Sequence, residues 1–508
     1  MKQVKNKNQA DGNPKKIIII GAGIAGLSAG IYGRLAGYEV DIYEKNSVAG
    51  GECMGWNRKG HHIDNCIHWL TGTKEGTALN QVWKNLGALR EDTEFAPYEA
   101  FFTSCHEGQR ATLWKDLDRT ERELIELSPE DAEEIRRFIQ HVRYAYSCVI
   151  PAEMPMDMMR IKDYMKMGEQ MADMPKVMKE YGKISLQDVA DRFQHPLLKL
   201  LITDYLPKEY TAYSFLVSYA TMASGNGELP AGGSLAMTNR IVERFIELGG
   251  HLHLNMPVKR IILEKNKATG IELEHGEIRT GDYVISATDT MELFSKLIGK
   301  TYIRGVWKKP YENRKDYPLF SGFQIAFSID KDVYKETDTV LFDCEPFTIG
   351  ERTISRMSVK SFEYEPGFAP EGKTVLQTNV SQFDEDFFYW KSLSREEYRQ
   401  VKENLVEMLE ERIISMFPDL KGHMEVLDCW TPLTYERYCN AYHGAYMSFT
   451  TKKGVKAFRV KGEVKGLRNL YIASQWIMAP GGLPIAAISG KFAIQRILKK
   501  EKRDYTEL

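Results

Sequence analysis

The sequence predicts an α/β protein: a parallel sheet, a helical insertion and a second, mainly antiparallel sheet. Three observations carry this. A glycine-rich turn stands between a wholly apolar strand and a helix near the amino terminus, helix formers dominate residues 110–225, and short alternating strands fill residues 301–460. The chain has 508 residues, 43% of them hydrophobic and 27% charged, values of an ordinary globular protein with enough apolar surface for a core. Lys plus Arg (68) balances Asp plus Glu (70), so no basic excess points to nucleic acid as a partner. The seven cysteines are odd in number and scattered without a CxxC, which predicts reduced thiols in a cytoplasmic protein, with neither a disulfide framework nor a metal site.

Two uncharged runs imitate export or membrane segments. Residues 17–33 follow Lys15-Lys16, but Gly21, Gly23, Gly26, Gly30 and Gly33 interrupt them; residues 469–490 are broken by Pro480, Gly481, Gly482 and Pro484. Neither is expected to span a membrane.

The polar residues 1–16 are expected to be disordered. Ile17-Ile18-Ile19-Ile20 reads as a strand buried on both faces. Gly21-Ala22-Gly23-Ile24-Ala25-Gly26 follows at once, then helical composition from Leu27 to Ala36, the strand Val40-Asp41-Ile42-Tyr43, and Glu44 at its end. The three glycines serve different ends. Gly21 allows the turn, Gly23 lets a pyrophosphate approach the backbone, and Gly26 lets helix and strand pack closely. The helix amino terminus offers free N–H groups to phosphates, and Glu44 can accept hydrogen bonds from ribose hydroxyls. This is the Rossmann-like fingerprint with its flanks in place.

The doublet Ala49-Gly50-Gly51-Glu52 and the segment Gly60-His61-His62-Ile63-Asp64 come next. Later stand Pro230-Ala231-Gly232-Gly233-Ser234-Leu235 at the head of an amphipathic helix ended by Gly249-Gly250, strands around Val258 and Tyr283 to Ala287, and Ser286-Ala287-Thr288-Asp289. Near the carboxyl terminus lie Leu470-Tyr471-Ile472-Ala473-Ser474-Gln475 and Pro480-Gly481-Gly482-Leu483-Pro484, ahead of a last helix from Ile485 to Ile497. Together these motifs resemble those of the FAD-dependent phytoene desaturase, carotenoid isomerase and retinol saturase group, flavoproteins of the glutathione-reductase-2 type related to amine oxidases. The resemblance implies noncovalent FAD held by Gly21, Gly23, Ile24, Ala25, Gly26, Glu44, Lys45, Gly50, Gly51, Glu52, Asp64, Val258, Ala287, Asp289, Gln475, Gly482, Leu483 and Pro484. NAD(P)H as a transient reductant is a further expectation, although only one dinucleotide fingerprint is present. Two positions depart from the family: Glu52 stands where Arg is common, and Gln475 or Ser474 where Asp usually bonds the ribityl chain.

The implied organisation is a discontinuous FAD-binding domain (17–105, 226–300 and 462–508), a helical lid or substrate entry (106–225) and a substrate-binding domain with an antiparallel sheet (301–461). Nine of the 21 methionines fall between Met154 and Met178. Flexible, polarizable side chains there suit a greasy entrance that touches a membrane peripherally, or equally an irregular helical core. Phe323, Ile325, Phe327 and Ile329 alternate with Gln324, Ala326 and Ser328, as in a half-buried strand. Further strands are expected at 339–343, 353–359, 374–380 and 424–427, with a long helix from Arg395 to Phe417.

The resemblance implies hydride transfer between flavin N5 and an apolar, polyene, isoprenoid or fatty-acyl-like substrate, with desaturation, saturation and isomerisation all open. His68, Trp69 and Trp476 are candidates to face the ring or substrate; Tyr435, Glu436, Tyr442 and His443, in and after the TPLTYERY segment, are candidate acids and bases. An amine oxidase with Trp476 and Tyr442 as an aromatic cage is the alternative enzyme, and a noncatalytic isoprenoid-binding protein of GDP-dissociation-inhibitor type the alternative of another class. His61, His62 and His68 lack the partner spacing of metal ligands. No signature of an oligomeric state is present.

Overall fold

The computed structural model describes residues 14–336 and 339–508. Of the amino-terminal stretch expected to be disordered, residues 1–13 lie outside those described, whereas Lys16 is already part of the first strand. That strand, Lys16–Ile20, sits at the centre of a five-stranded parallel sheet ordered Leu470–Ile472, Tyr283–Ser286, Lys16–Ile20, Glu39–Tyr43 and His251–His253. Ile17, Ile18 and Ile19 are wholly buried because helices cover both faces. Three separated stretches of chain thus build one sheet, with the carboxyl ends of its strands on a common edge.

The opening helix, Ile24–Leu35, runs against the closing helix, Gly482–Lys500. Their backbones approach closely: a Cβ on Gly490 would overlap the Ala29 amide and the Ala25 carbonyl oxygen. Ser28 Oγ donates to Ala487 O at 2.5 Å across the same seam. The closing helix starts at Gly482, three residues earlier than its composition suggests.

A seven-stranded sheet forms the second layer, ordered Met424–Trp430, Ser321–Asp330, Lys373–Gln382, Arg352–Ser361, Thr339–Ile349, Ala100–His106 and Gln109–Trp114. It is antiparallel except where Ala100–His106 runs parallel to Thr339–Ile349. The helix Arg395–Met416 lies on one face through Leu405, Leu409 and Ile413. Two sequence expectations need correction here. The strand Ser321–Asp330 is buried on both faces, not one, because Ala326 packs with Ile63, Trp430 and Tyr435 while Gln324 Nε2 donates to Tyr435 Oη at 2.7 Å. The hairpin Ala100–His106/Gln109–Trp114 belongs to this sheet, so a domain boundary at 105/106 cuts through a paired element. A parallel pairing across more than 230 residues leaves no local pattern to read.

Helices between Leu117 and Ala223 form a separate layer with its own core around Phe138, Val142, Leu198, Phe215 and Tyr219. The methionines of this layer divide between the two expected roles. Met154, Met158 and Met174 are buried, whereas Met165 and Met178 are exposed. Among the described residues no helix is long and apolar enough to cross a membrane.

Candidate cofactor cleft and its surroundings

The carboxyl edge of the parallel sheet opens into a cleft that is open to solvent. Gly21 turns the chain out of the first strand with φ +97°, and a Cβ there would stand 2.9 Å from Ala287 O. Gly23 caps the opening helix with backbone only, leaving the first-turn N–H groups free for an anion. A bridge between Gly23 and Gly50, with Gly50 N donating to Ala22 O at 2.9 Å, sets the two glycine motifs side by side. Glu44 pins this loop: its Oε2 accepts Ala22 N–H at 2.8 Å and its Oε1 accepts Asn46 N–H at 2.9 Å. The closing helix begins after Gly481 at φ +86°, and its first N–H, that of Gly482, is held by Gln475 Oε1 at 2.8 Å. The uncapped start of the opening helix and the start of the closing helix therefore face one cleft, a donor set that suits a dinucleotide.

The structure brings Gly21, Gly23, Ile24, Ala25, Glu44, Lys45, Gly50, Gly51, Glu52, Val258, Ala287, Asp289, Gln475, Trp476, Gly482 and Leu483 to the cleft wall. Gly26, Asp64 and Pro484 stand behind it. A Cβ on Gly26 would overlap the Gly21 carbonyl oxygen. Asp64 caps the helix Gly233–Glu247: its Oδ1 accepts Ser234 Oγ–H at 2.7 Å and its Oδ2 accepts Ser234 N–H at 2.5 Å. Pro484 lies in the first turn of the closing helix.

The candidates for chemistry scatter. Tyr435 is buried as a hydrogen-bond hub, donating to Asn65 Oδ1 at 2.8 Å and accepting from Gln324 and from Trp430 Nε1 at 3.1 Å. Glu436 points outward to Lys391 at 2.5 Å and does not enter the cleft. His443 pairs with Asp384 at 2.6 Å and stacks on Tyr442, whose ring centroid lies 3.9 Å away. Tyr442 and Trp476 do not face each other as a cage, because Tyr311 and Phe449 stand between them in a continuous run of ring contacts. Trp69 packs with Phe101 and Tyr205 at centroid distances of 5.7 and 6.0 Å. His61 and His62 bond to Lys59 O and Asn57 Oδ1, away from one another's metal-binding reach. Among the described residues, Glu39, Asp41 and His251 do bring three potential ligands together, but Lys16 already pairs with both carboxylates at 3.0 and 2.6 Å.

Several groups at the cleft were not foreseen. Cys53, Cys66, Lys296, Asn440 and Tyr446 line it. Cys66 follows Asp64 by two residues, so extending that motif would have found it; Asn440 and Tyr446 arrive through a left-handed turn at Asn440 that no periodicity announces. Lys360, on Arg352–Ser361, reaches to 3.5 Å from Ile67 O and stands 4.8 Å from the Phe362 ring centroid.

Burial, with the Asp289 carboxylate nearby, pushes Glu52 up to about 8, and burial pushes Asp289 up to about 7. Desolvation and the neighbouring Lys360 cation lower His68 below the ordinary imidazole value, although its side chain stays open to solvent. Desolvation brings Lys360 down to about 8 against the attraction of Asp64 and Glu365.

Comparison with known proteins adds three findings. The profile of the family described as flavin containing amine oxidoreductase matches residues 24–498. The phytoene desaturase (lycopene-forming) of Paracoccus sp. (strain N81106 / MBIC 01143) is 26% identical over 514 residues, covering 95% of this chain and 97% of that one; a 4,4'-diapophytoene desaturase (4,4'-diapolycopene-forming) from Methylomonas sp. is 23% identical, covering 98% of each. An oxidoreductase from Methanosarcina mazei superposes with a TM-score of 0.60 at 17% identity, over 95% of this chain and 100% of its own, which speaks to the fold.

Proposed function

The chain belongs to the flavin containing amine oxidoreductase family and is an FAD-dependent oxidoreductase; from that premise we propose that its substrate is an apolar polyene or isoprenoid-like molecule. The observation that carries this reading is likeness to two carotenoid-type desaturases along nearly the whole chain. A helical layer whose core joins Trp69, Phe101 and Tyr205 supports it by offering aromatic walls to such a molecule.

In this proposal the cofactor-binding residues are those of the cleft wall, with Gly26, Asp64 and Pro484 shaping it from behind. Bound FAD supplies hydride acceptance and donation at N5. The chain's own part is to bind, orient and exclude water. The first-turn N–H groups of the opening and closing helices bind negative charge. Trp69, Phe101 and Tyr205 orient the substrate, with His68 next to Trp69 in the chain. Tyr435 acts as a positioning residue through Asn65. Glu436 pairs with Lys391 and His443 with Asp384, and neither lines the cleft.

We assign the organisation as a discontinuous FAD-binding unit, a helical entry layer and a substrate sheet that includes the hairpin from Ala100 to Trp114. The entry layer is proposed to rest on a membrane surface through Ile161–Gln170. None of that helix's residues is buried, and Ile161 and Met165 are 81% and 62% exposed. Cosedimentation with phospholipid vesicles tests this, and loss of binding in I161D/M165D is the expected result.

Incubating the purified protein anaerobically with acyclic polyenes and with primary amines tests the substrate class. Bleaching of the flavin absorbance by a polyene alone is expected, and the product mass separates desaturation, saturation and isomerisation. Bleaching by amines alone would replace this reading with the amine oxidase one. A protein that neither carries nor takes up FAD would favour the noncatalytic binding protein.

A further inference from the structure

Four carboxylates line the cleft, Glu44, Glu52, Asp289 and Glu292, against two cations, Lys45 and Lys296, and no arginine. Three of the four are compensated. Glu44 accepts two backbone N–H groups, Asp289 accepts those of Met291 at 2.6 Å and Tyr442 at 2.8 Å, and Glu292 lies 3.6 Å from the Lys296 ammonium. Glu52 is different. Among the described residues it receives neither a cation nor a backbone N–H, only the side-chain amide of Gln475, whose Nε2 donates to Glu52 Oε2 at 3.0 Å.

That amide has no freedom to turn. Its Oε1 accepts Gly482 N–H at 2.8 Å, at the first residue of the closing helix, and its Nε2 also donates to Tyr446 O at 3.3 Å. Gln475 therefore satisfies one oxygen of Glu52 from a fixed direction. Among the described residues no hydrogen bond or ion pair reaches the other oxygen, and the residue lines the cleft. A diphosphate entering the same cleft brings further negative charge. An ionised Glu52 would then face both Asp289 and the cofactor with no positive group to offset them.

We propose that Glu52 holds FAD as a neutral carboxylic acid, donating its proton to an acceptor oxygen of the ribityl-diphosphate bridge, so that cofactor binding is coupled to one proton. No covalent or redox step is involved; the proton stays on Glu52 and is shared in a hydrogen bond. The groups facing Glu52 agree with this. Asp289 comes from the end of the strand Tyr283–Ser286, Tyr435 and Cys439 from the helix Pro432–Cys439, and Cys66 from the turn after His61–Asp64. Burial raises Tyr435 and Cys439, and a hydrogen bond with Cys53 together with burial raises Cys66, above their ordinary values, so they are uncharged near neutrality, and Asp289 is the anion that raises Glu52. Burial and that anion keep Glu52 protonated up to about pH 8.

The test reads cofactor affinity alone and is independent of the substrate class. FAD released from the full-length holoprotein on dilution is followed by its fluorescence between pH 6 and 10. The wild-type affinity is expected to hold to about pH 8 and then fall tenfold per pH unit, because deprotonated Glu52 must regain its proton to bind. Glu52→Gln, an isostere that donates without titrating, is expected to abolish the fall and to bind about tenfold more tightly than wild type at pH 9. Asp289→Asn is expected to keep a fall, moved to lower pH. Flat wild-type affinity, an unchanged fall in Glu52→Gln, or its disappearance in Asp289→Asn alone would each overturn the proposal. Should Glu52→Gln not fold, calorimetry of FAD binding to the wild type at pH 9 in two buffers of different ionisation enthalpy decides: uptake of close to one proton upholds it, and none overturns it.

Discussion

Asp64 and Ser234, 170 residues apart in sequence, meet through both of their polar ends, the serine donating its hydroxyl to one carboxylate oxygen and its amide to the other. Asp64 is 4% exposed, and a Cβ on the intervening Gly233 would collide with its Oδ2. Asp64→Ala strands two buried donors that had a charged acceptor, at a cost of about 3 kcal/mol. The expected outcome is a lower denaturant midpoint and loss of bound FAD, with Asp64→Asn intermediate. Equal midpoints for the alanine variant and the wild type would show that water replaces the carboxylate.

Gly26, in the opening helix, makes a sharper contrast. Its added methyl overlaps the Gly21 carbonyl and meets Ala287 Cβ at 3.1 Å, each one residue beyond a strand of the sheet that carries the cleft. Gly26→Ala is expected to yield protein holding less than a tenth of the wild-type flavin, measured by absorbance after purification. Gly76→Ala is the control: its φ is +77° but nothing lies within 4 Å, so only the backbone term of about 1 kcal/mol applies and the flavin stays.

The glycine loop was legible in the sequence because its demands are local. Gly21 needs a positive φ, Glu44 follows the next strand, and neither depends on a distant partner. The strand alternation from Phe323 to Ile329 was legible for the same reason, although its second buried face was not, because Tyr435 and Ile63 that cover it come from elsewhere in the chain. The chemistry near the cleft resisted reading for that cause throughout. Glu436 and His443 had the right side chains in the right segment, but Lys391 and Asp384, which hold them outside the cleft, come from another helix. Glu52 and Gln475 stood out in the sequence as two separate departures, and only their contact across 423 residues makes them one device.

Glu52 also sets a pH dependence of stability in the absence of cofactor. Its folded value near 8 lies above the ordinary carboxylate value, so between about 4.5 and 8 the folded chain binds more protons than the unfolded one. Stability from this group is therefore complete below pH 4.5, declines as pH rises, and levels off above 8. Asp289 contributes in the same direction over a window ending near 7. In FAD-free protein the Tm of Glu52→Gln is expected to pull ahead of wild type from pH 5 to pH 8 and to keep a constant lead beyond. A lead that does not grow over that window would place the folded value of Glu52 near its ordinary one.

Lys360 carries the opposite sign. Desolvation holds its folded value near 8, below the ordinary 10.5, so from pH 8 to 10.5 the unfolded chain binds more protons and stability rises with pH. At neutral pH desolvation of the half-buried ammonium opposes the attraction from Asp64 and Glu365 and a contact of 3.5 Å to Ile67 O. Lys360→Met keeps the length and the packing on Phe362 without the charge. It is expected to be more stable than wild type by about 2 kcal/mol at pH 7, with the advantage narrowing between pH 8 and 10.5. Urea unfolding at pH 7, 8.5 and 10 measures this. A variant less stable than wild type at pH 7 would mean that attraction to the two carboxylates outweighs desolvation, and the ammonium would then count as part of the scaffold that fixes Asp64.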